Sequence, residues 1–306
     1  MQNNTAAIVV TYNRLAQLQR CMEQIGAQTV PCDILIIDNA STDGTEFWAK
    51  EAAANSDRIF YCNTGENLGG AGGFHFGMKE AYRLGYDYFW LMDDDCFPES
   101  DALEELFCAD ALLEGKYGWL SSVALWRDGK ECQMNRQKLQ KDFYTRIELL
   151  KNGLVKAQQA TFVSLFLKAE TVEEVGLPVK EFFIWGDDIE YTRRIAVRHK
   201  TESFVVGKSR VLHDMKNNCG SSIAVDDVER LPRYRLAYRN EAFTYRKEGF
   251  RGRCYYLAKC GLHTWRILTK ARDHRFKRLS VLLRGMFDGI FFRPSIEIPK
   301  KRQKER

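Results

Sequence analysis

Short apolar runs bounded by polar residues recur along the first hundred positions, and a stretch of helical period follows each. Residues 6–11 (AAIVVT), 33–38 (DILIID), 58–62 and 88–92 (YFWLM) are too short for amphipathic helices and predict buried strands. Between them, Leu15, Leu18 and Met22 mark one helix and residues 46–54 a second; the segment opened by Asn67 predicts a third, to about residue 84. Strand and helix alternating at this spacing imply parallel pairing with right-handed crossovers. Ligands of such sheets bind beyond the carboxyl ends of the strands. Thr11, Asp38 and Asp93 each close a strand, so one crevice should hold all three. Further on, the pattern predicts an acidic helix over 100–114, a strand over 119–126, a buried strand over 160–167 and a short helix over 170–176. A helix opens at Asp187 and a strand-like run ends at 211–214, whereas the mixed stretch 133–153 takes no assignment.

Composition narrows the class. An apolar share of 45% and an aromatic share of 12% in 306 residues are enough for a large core. The nine cysteines are odd in number, dispersed and free of any C-x-x-C pair, which predicts reduced cytosolic thiols rather than a disulfide framework or structural zinc. No basic leader precedes the first apolar run, and the longest apolar stretch, 281–292, is broken by Arg284 and Asp288, so no membrane span is expected.

Charge divides the chain. Residues 1–229 carry 24 basic and 35 acidic side chains, and residues 230–306 carry 22 basic and 6 acidic. We therefore expect a body at 1–229, with one half to about residue 98 and another over 99–229, followed by a basic, mainly helical region at 230–306. So basic a segment seeks an anionic surface. A helix near 274–292 would place Phe276, Leu279, Leu282, Leu283 and Met286 near one face, suited to an anionic membrane surface. The competing expectations are a helical cap on the body and a homo-oligomer interface. Nucleic acid is not an expected partner, because no reader motif or base-stacking groove is recognisable.

Candidate chemistry gathers in four places. The strand at 88–92 ends in Asp93, Asp94 and Asp95, whose mutual repulsion makes sense beside a cation. In an extended tip Asp93 and Asp95 point together and Asp94 points away, and hard oxygen ligands there suit Mg²⁺ or Mn²⁺. NLGGAGGF at 67–74 has four glycines that either let backbone approach a ligand, at a helix start that favours an anion, or simply make a structural turn; it is neither a dinucleotide fingerprint nor a P-loop. FFIWGDDIEYTRR at 182–194 sets Trp185 before the acid pair Asp187 and Asp188. One acid suffices to cap a helix, so the second is free to face a substrate. Trp185 suits either a sugar face or the core. His213 closes the strand-like run near 211 and is a candidate metal ligand.

In combination, VVTYNR (9–14), IDNASTDGT (37–45), LMDDDCFPE, WGDDIE, the later His213 and YRNEAF (238–243) resemble the family 2 inverting glycosyltransferases of GT-A fold. Within them the galactofuranosyltransferase and rhamnosyltransferase branch is the most similar. The resemblance spans roughly residues 6–245. It implies an α/β fold, a nucleotide-diphospho-sugar transferase with a mostly parallel Rossmann-like sheet flanked by helices. The donor would be UDP-galactofuranose or dTDP-rhamnose and the acceptor a glycan or lipid-linked glycan of cell-surface polysaccharide; the thiols and the basic region, read above, add a cytoplasmic place, with the inner membrane face or a protein surface as the seat of the basic region. The resemblance further implies that Thr11, Asn13, Arg14 and Asp38 meet the nucleotide, that Asn67, Gly69 and Gly70 border the donor, and that Asp93 and Asp94 also face it. Asp93, Asp95 and His213 would hold Mn²⁺ or Mg²⁺; Asp188 would be the catalytic base, with Asp187 second, and Trp185 would meet the acceptor. The Q-x-x-R-W motif of processive synthases is missing from the chain. A catalytically silent sugar-nucleotide scaffold and a metal-dependent nucleotidyltransferase are the alternatives.

Overall fold

A computed structural model describes residues 4–144 and 146–300. The first half is β1 (Thr5–Thr11), α1 (Leu15–Gly26), β2 (Asp33–Asp38), α2 (Thr45–Ala54), β3 (Ile59–Asn63), α3 (Gly69–Leu84) and β4 (Tyr88–Asp93), matching the alternation read from the sequence. These strands lie parallel in the order β3-β2-β1-β4. Register sets Thr11 beside Asp38 and Val10 beside Asp93, so the three strand ends share one edge.

All seven residues of β1 are buried, because both sheet faces are covered. Ala7 and Val9 meet Leu18, Met22 and Leu106 on one face, and Ala6, Ile8 and Val10 meet Phe74, Met78 and Tyr82 on the other. That two-sided burial is why the parallel strands read as continuous apolar runs. α3 sits unusually close to the sheet: a Cβ on Gly73 would come within 2.5 Å of Val10 Cγ1, and one on Gly77 within 2.5 Å of Ile8 Cγ2.

The second half is less regular. β5 (Cys96–Pro98), α4 (Ala102–Leu112), β6 (Leu120–Leu125), β7 (Lys138–Leu139), α5 (Ile147–Lys151), β8 (Leu154–Gln159) and β9 (Leu165–Lys168) lead to α6 (Ala169–Val175), α7 (Asp187–Arg193) and β10 (Phe204–His213). They extend the sheet as β4-β9-β6-β10-β8-β7, with β9 antiparallel to β4 and β6. The strand expected over 160–167 is in fact the turn that follows β8 and then β9. Phe162 and Val163 are buried in that turn, and Ser164 turns the chain with φ +57°. The Ser164 hydroxyl accepts from Trp90 Nε1 at 2.8 Å and lies 2.5 Å from Ser122 Oγ, which satisfies a polar turn inside the core. An apolar run cannot distinguish such a turn from a strand.

α8 (Leu231–Lys247), α9 (Gly249–Lys270) and α10 (Arg275–Phe291) share a cluster of Leu231, Tyr238, Ile267 and Leu282. α8 lies against the sheet-bearing body, where Glu248 receives two 2.7 Å bonds from Arg193. Beyond α10 the chain returns along α3, and Glu297 bonds His75 at 3.0 Å and Lys79 at 2.8 Å. The single apolar face expected for the helix near 274–292 is corrected. Leu282 faces the protein together with Arg278, Gly285 and Gly289, whereas Leu283 faces outward, so the helix is apolar on two sides.

Candidate active site

The acid triplet sits where β4 leaves the sheet, and the next five residues decide its surroundings. The chain turns back at once into β5, which pairs antiparallel with β10 and puts His213 in register with Cys96. That pairing brings a histidine 118 residues away to 3.1 Å from Asp95, measured from Nε2 to Oδ1. One donor atom each of Asp93, Asp95 and His213 lies within 4.8 Å of the others.

A hydrogen bond orients the imidazole. The Asn135 amide nitrogen donates to Thr161 Oγ1 at 2.9 Å, so its oxygen faces His213 Nδ1, 2.7 Å away. Nδ1–H therefore donates to Asn135, and Nε2 is turned to the acids. Asn135 is buried and lies in the stretch that took no assignment; nothing in its sequence neighbourhood marks it. Two carboxylates and an imidazole whose second nitrogen is tied back form a fitting donor set for Mg²⁺ or Mn²⁺. Among the described residues no side-chain hydrogen bond reaches the Asp93 carboxylate, and burial followed by the charge of Asp95 pushes it up to about 7. Burial also works against Asp95, yet the hydrogen bond and charge of His213, with Arg14, hold it below the usual carboxylate range. His213 is raised to about 10, burial opposing the Asp95 bond that favours its cation.

Beside the cluster, in the turn between β4 and β5, stands Asp94. Thr11 Oγ1 donates to its Oδ2 at 2.8 Å and Arg14 to its Oδ1 at 3.2 Å, and Arg14 also reaches Asp95 at 2.6 Å. Asp94 is buried, its value pushed up to about 6 by burial against the pull of Arg14. It braces the end of β1 to the end of β4. Beside it, Asn13 accepts from the Thr42 N–H at 2.7 Å and its own N–H donates to Ser41. Asp38 is wholly buried; its oxygens accept from the Ser41 N–H and the Tyr61 hydroxyl, both at 2.8 Å. These residues therefore shape the rim of the crevice through the 41–42 turn.

The glycines divide in purpose. Gly69 (φ +69°) is pressed against the chain, since a Cβ there would lie 2.1 Å from Phe183 O. Asn67 Oδ1 accepts the Gly69 N–H at 2.9 Å, and Asn39 donates to the Gly69 carbonyl. Gly70 alone of this loop's glycines has nothing within 4 Å of where a Cβ would stand. Of the two expectations for this cluster, the structural one holds at Gly69, Gly72 and Gly73, which admit other parts of the chain, and Gly70 is the open position.

The segment against Gly69 carries the acid pair. Phe183 (φ +64°, ψ −61°) sits in a γ-turn, with the Ile184 N–H bonded to Phe182 O at 2.7 Å, and Trp185 also has φ +64°. Such conformations are strained for side chains with a Cβ and persist only when neighbours enforce them. The enforcer is Asn240 on α8, wholly buried, whose amide donates to the carbonyls of Phe182, Ile184 and Trp185 at 3.1, 3.2 and 2.8 Å. Trp185 is half-buried, edge-on to Tyr234 and under the Arg230 guanidinium. Asp187 is buried, and burial, then the charges of Asp188 and Asp93, push its carboxyl well up. The segment before the pair meets the start of α3, where Phe183 O accepts the Ala71 N–H at 3.2 Å. Asp188 is half-buried, accepts the Ile189 N–H at 2.6 Å, and burial raises it to about 6.

A sequence model described as Glycosyl transferase family 2 matches residues 6–163. The chain is 30% identical over 216 residues to galactofuranosyltransferase GlfT1 of Mycobacterium tuberculosis, an alignment covering 64% of this chain and 65% of that protein. Among solved structures, GalNAc-T7 with UDP, GalNAc and Mn²⁺ is similar at TM-score 0.59 and 15% identity, covering 77% of this chain and 47% of that one. The mannosyltransferase PcManGT of Pyrobaculum calidifontis, with GDP-Man and Mn²⁺, is similar at TM-score 0.56 and 15% identity, covering 94% and 87%. Those two likenesses establish a GT-A fold.

Proposed function

The chain belongs to glycosyl transferase family 2, and from that membership we propose that it moves a sugar from a nucleotide diphosphate to a hydroxyl of a glycan or lipid-linked glycan, inverting the anomeric carbon. The observation that carries the proposal is the Asp93–Asp95–His213 cluster at the strand ends, with the segment that leads into Asp187 and Asp188 packed on the start of α3 through Phe183. The likeness to GlfT1 favours UDP-galactofuranose as donor, with dTDP-rhamnose next.

Asp93, Asp95 and His213 would hold the divalent ion, Mn²⁺ or Mg²⁺. When bound, that ion would offset the charge left on the departing nucleoside diphosphate. Thr11, Asn13, Arg14 and Asp38 would border the nucleotide, and Gly70 at the start of α3 would lie along the donor. Asp188 is the base in this reading. An acceptor arrives from outside, and Asp188 is the more exposed of the pair, whereas Asp187 is buried. As the hydroxyl oxygen bonds to the anomeric carbon, its proton passes to Asp188 and the bond to diphosphate breaks on the opposite side. General-base help of this kind is worth on the order of 10²–10⁴ in rate.

A panel of nucleotide sugars, each with Mn²⁺ or Mg²⁺, tests the reading. Nucleoside diphosphate release that rises with added acceptor supports it. Pyrophosphate release would instead identify a nucleotidyltransferase, and binding without turnover of any donor would leave a scaffold.

A further inference from the structure

We propose that the outward faces of α9 and α10 are a docking surface for an anionic lipid bilayer, on which the protein lies without crossing it. The inward faces of both helices are already spoken for. On α10, a Cβ at Gly285 would come within 2.6 Å of Arg235 O and one at Gly289 within 2.5 Å of the Ala242 Cβ, so this side is locked onto α8. Arg278 is buried on the same side and donates to the carbonyls of Ile223 and Asp226 at 2.8 Å. On α9, Gly252, Tyr256, Cys260 and Ile267 point inward.

The opposite sides should be polar in a helix that ends at water, and they are not. Phe276 is 90% exposed, and Leu283, Phe287 and Ile290 follow it at helical spacing, each more than half exposed. α9 repeats the pattern with Phe250 (80% exposed), Leu257, Trp265 and Leu268. A stripe on each of two neighbouring helices far exceeds the scattered apolar residues normal on a surface.

Charge says what covers them. Residues 249–293 contain eleven Lys and Arg against two Asp. Exposed among them are Arg251, Arg253, Lys270, Arg272, Lys277 and Arg284, none in an ion pair among the described residues. A second copy of this chain meeting the same face would set these cations against one another, which costs association free energy. A nucleic acid would answer the cations and leave the phenylalanines wet. An anionic bilayer answers both: its headgroups take the Lys and Arg while aromatic and aliphatic side chains enter the interface. No helix among the described residues is long and apolar enough to cross a membrane, which fits a protein that lies on the surface.

Vesicle sedimentation of the full-length protein tests this without any donor or acceptor. Vesicles of phosphatidylcholine with phosphatidylglycerol should sediment the protein, and vesicles of phosphatidylcholine alone should not. High salt should release it. The double variants F276S/F287S and K277E/R284E should each weaken partitioning by about tenfold or more while circular dichroism stays unchanged. Absence of binding to phosphatidylglycerol vesicles overturns the proposal, as does equal binding to neutral vesicles or full binding by both variants. Light scattering covers the remaining alternative. Self-association that F276S/F287S abolishes, without any vesicle binding, would assign the face to a second copy.

Discussion

Replacing Asn240 with alanine should cripple turnover while sparing donor binding. Its amide serves three carbonyls, at 2.8–3.2 Å, in a loop where Phe183 and Trp185 both have positive φ. Positive φ in residues with a Cβ costs about 1–3 kcal/mol each. Each lost hydrogen bond removes about 0.5–1.5 kcal/mol, and a buried carbonyl left without a partner costs about 1–3 kcal/mol. Removal of the amide therefore withdraws about 2–4 kcal/mol of support, comparable to the strain it restrains, and the loop should relax. Asp188 lies three residues beyond Trp185, so its carboxylate should leave its working position; a loss of about 2.7 kcal/mol there is about 10² in kcat. Asp93 ends β4, Asp95 stands in the turn after it and His213 ends β10, all apart from this loop, so affinity for nucleoside diphosphate with Mn²⁺ should move only a few-fold. Asn240→Asp should be worse than Asn240→Ala, because it aims a carboxylate at three carbonyl oxygens. The assays are calorimetric binding of the nucleoside diphosphate and acceptor-dependent steady-state rates. A folded Asn240→Ala protein with kcat within twofold of the parent would refute the reasoning, as would a loss confined to donor binding.

Asp188→Asn should abolish transfer and leave donor affinity within a few-fold. If Asp187→Asn alone is inactive, the roles of the pair are reversed. Because the base works as its anion and burial raises Asp188 to about 6, kcat/KM for acceptor should climb as pH rises through about 6 and level off above it; a flat profile from pH 5 to 8 would count against Asp188. Chelation with EDTA should stop turnover, Mn²⁺ or Mg²⁺ should restore it, and His213→Ala should raise the metal concentration required; full activity after exhaustive chelation would remove the ion from the mechanism. Gly73→Ala should lower thermal stability by about 1–3 kcal/mol through overpacking against Val10. Gly70→Ala should fold normally and weaken donor binding if α3 begins along the donor.

What the sequence by itself determined was the parallel half of the molecule and its strand-end acids. Runs such as AAIVVT and DILIID declare buried strands locally, and the helices between them leave only one handed way to connect the strands. From that followed the shared edge of Thr11, Asp38 and Asp93, whereas the extended tip expected for the acids is a turn in which Thr11 and Arg14 hold Asp94. Periodicity reports which side of an element is apolar and is silent about which distant element covers it. So the pairing of β5 with β10 that carries His213 to Asp95 was decided by tertiary structure. Tertiary structure likewise brought Asn135, from a stretch without local pattern, behind the imidazole; Asn240 stands in the YRNEAF motif, but only packing revealed that it lies under the acid loop. The glycines show the same division. Four in a row of five announce close approach, but only packing revealed that Gly69 yields to Phe183 and Gly73 to Val10. On α10 both sides are apolar by composition, and the glycines at 285 and 289 chose the inner one, because only there can the α8 backbone come near enough.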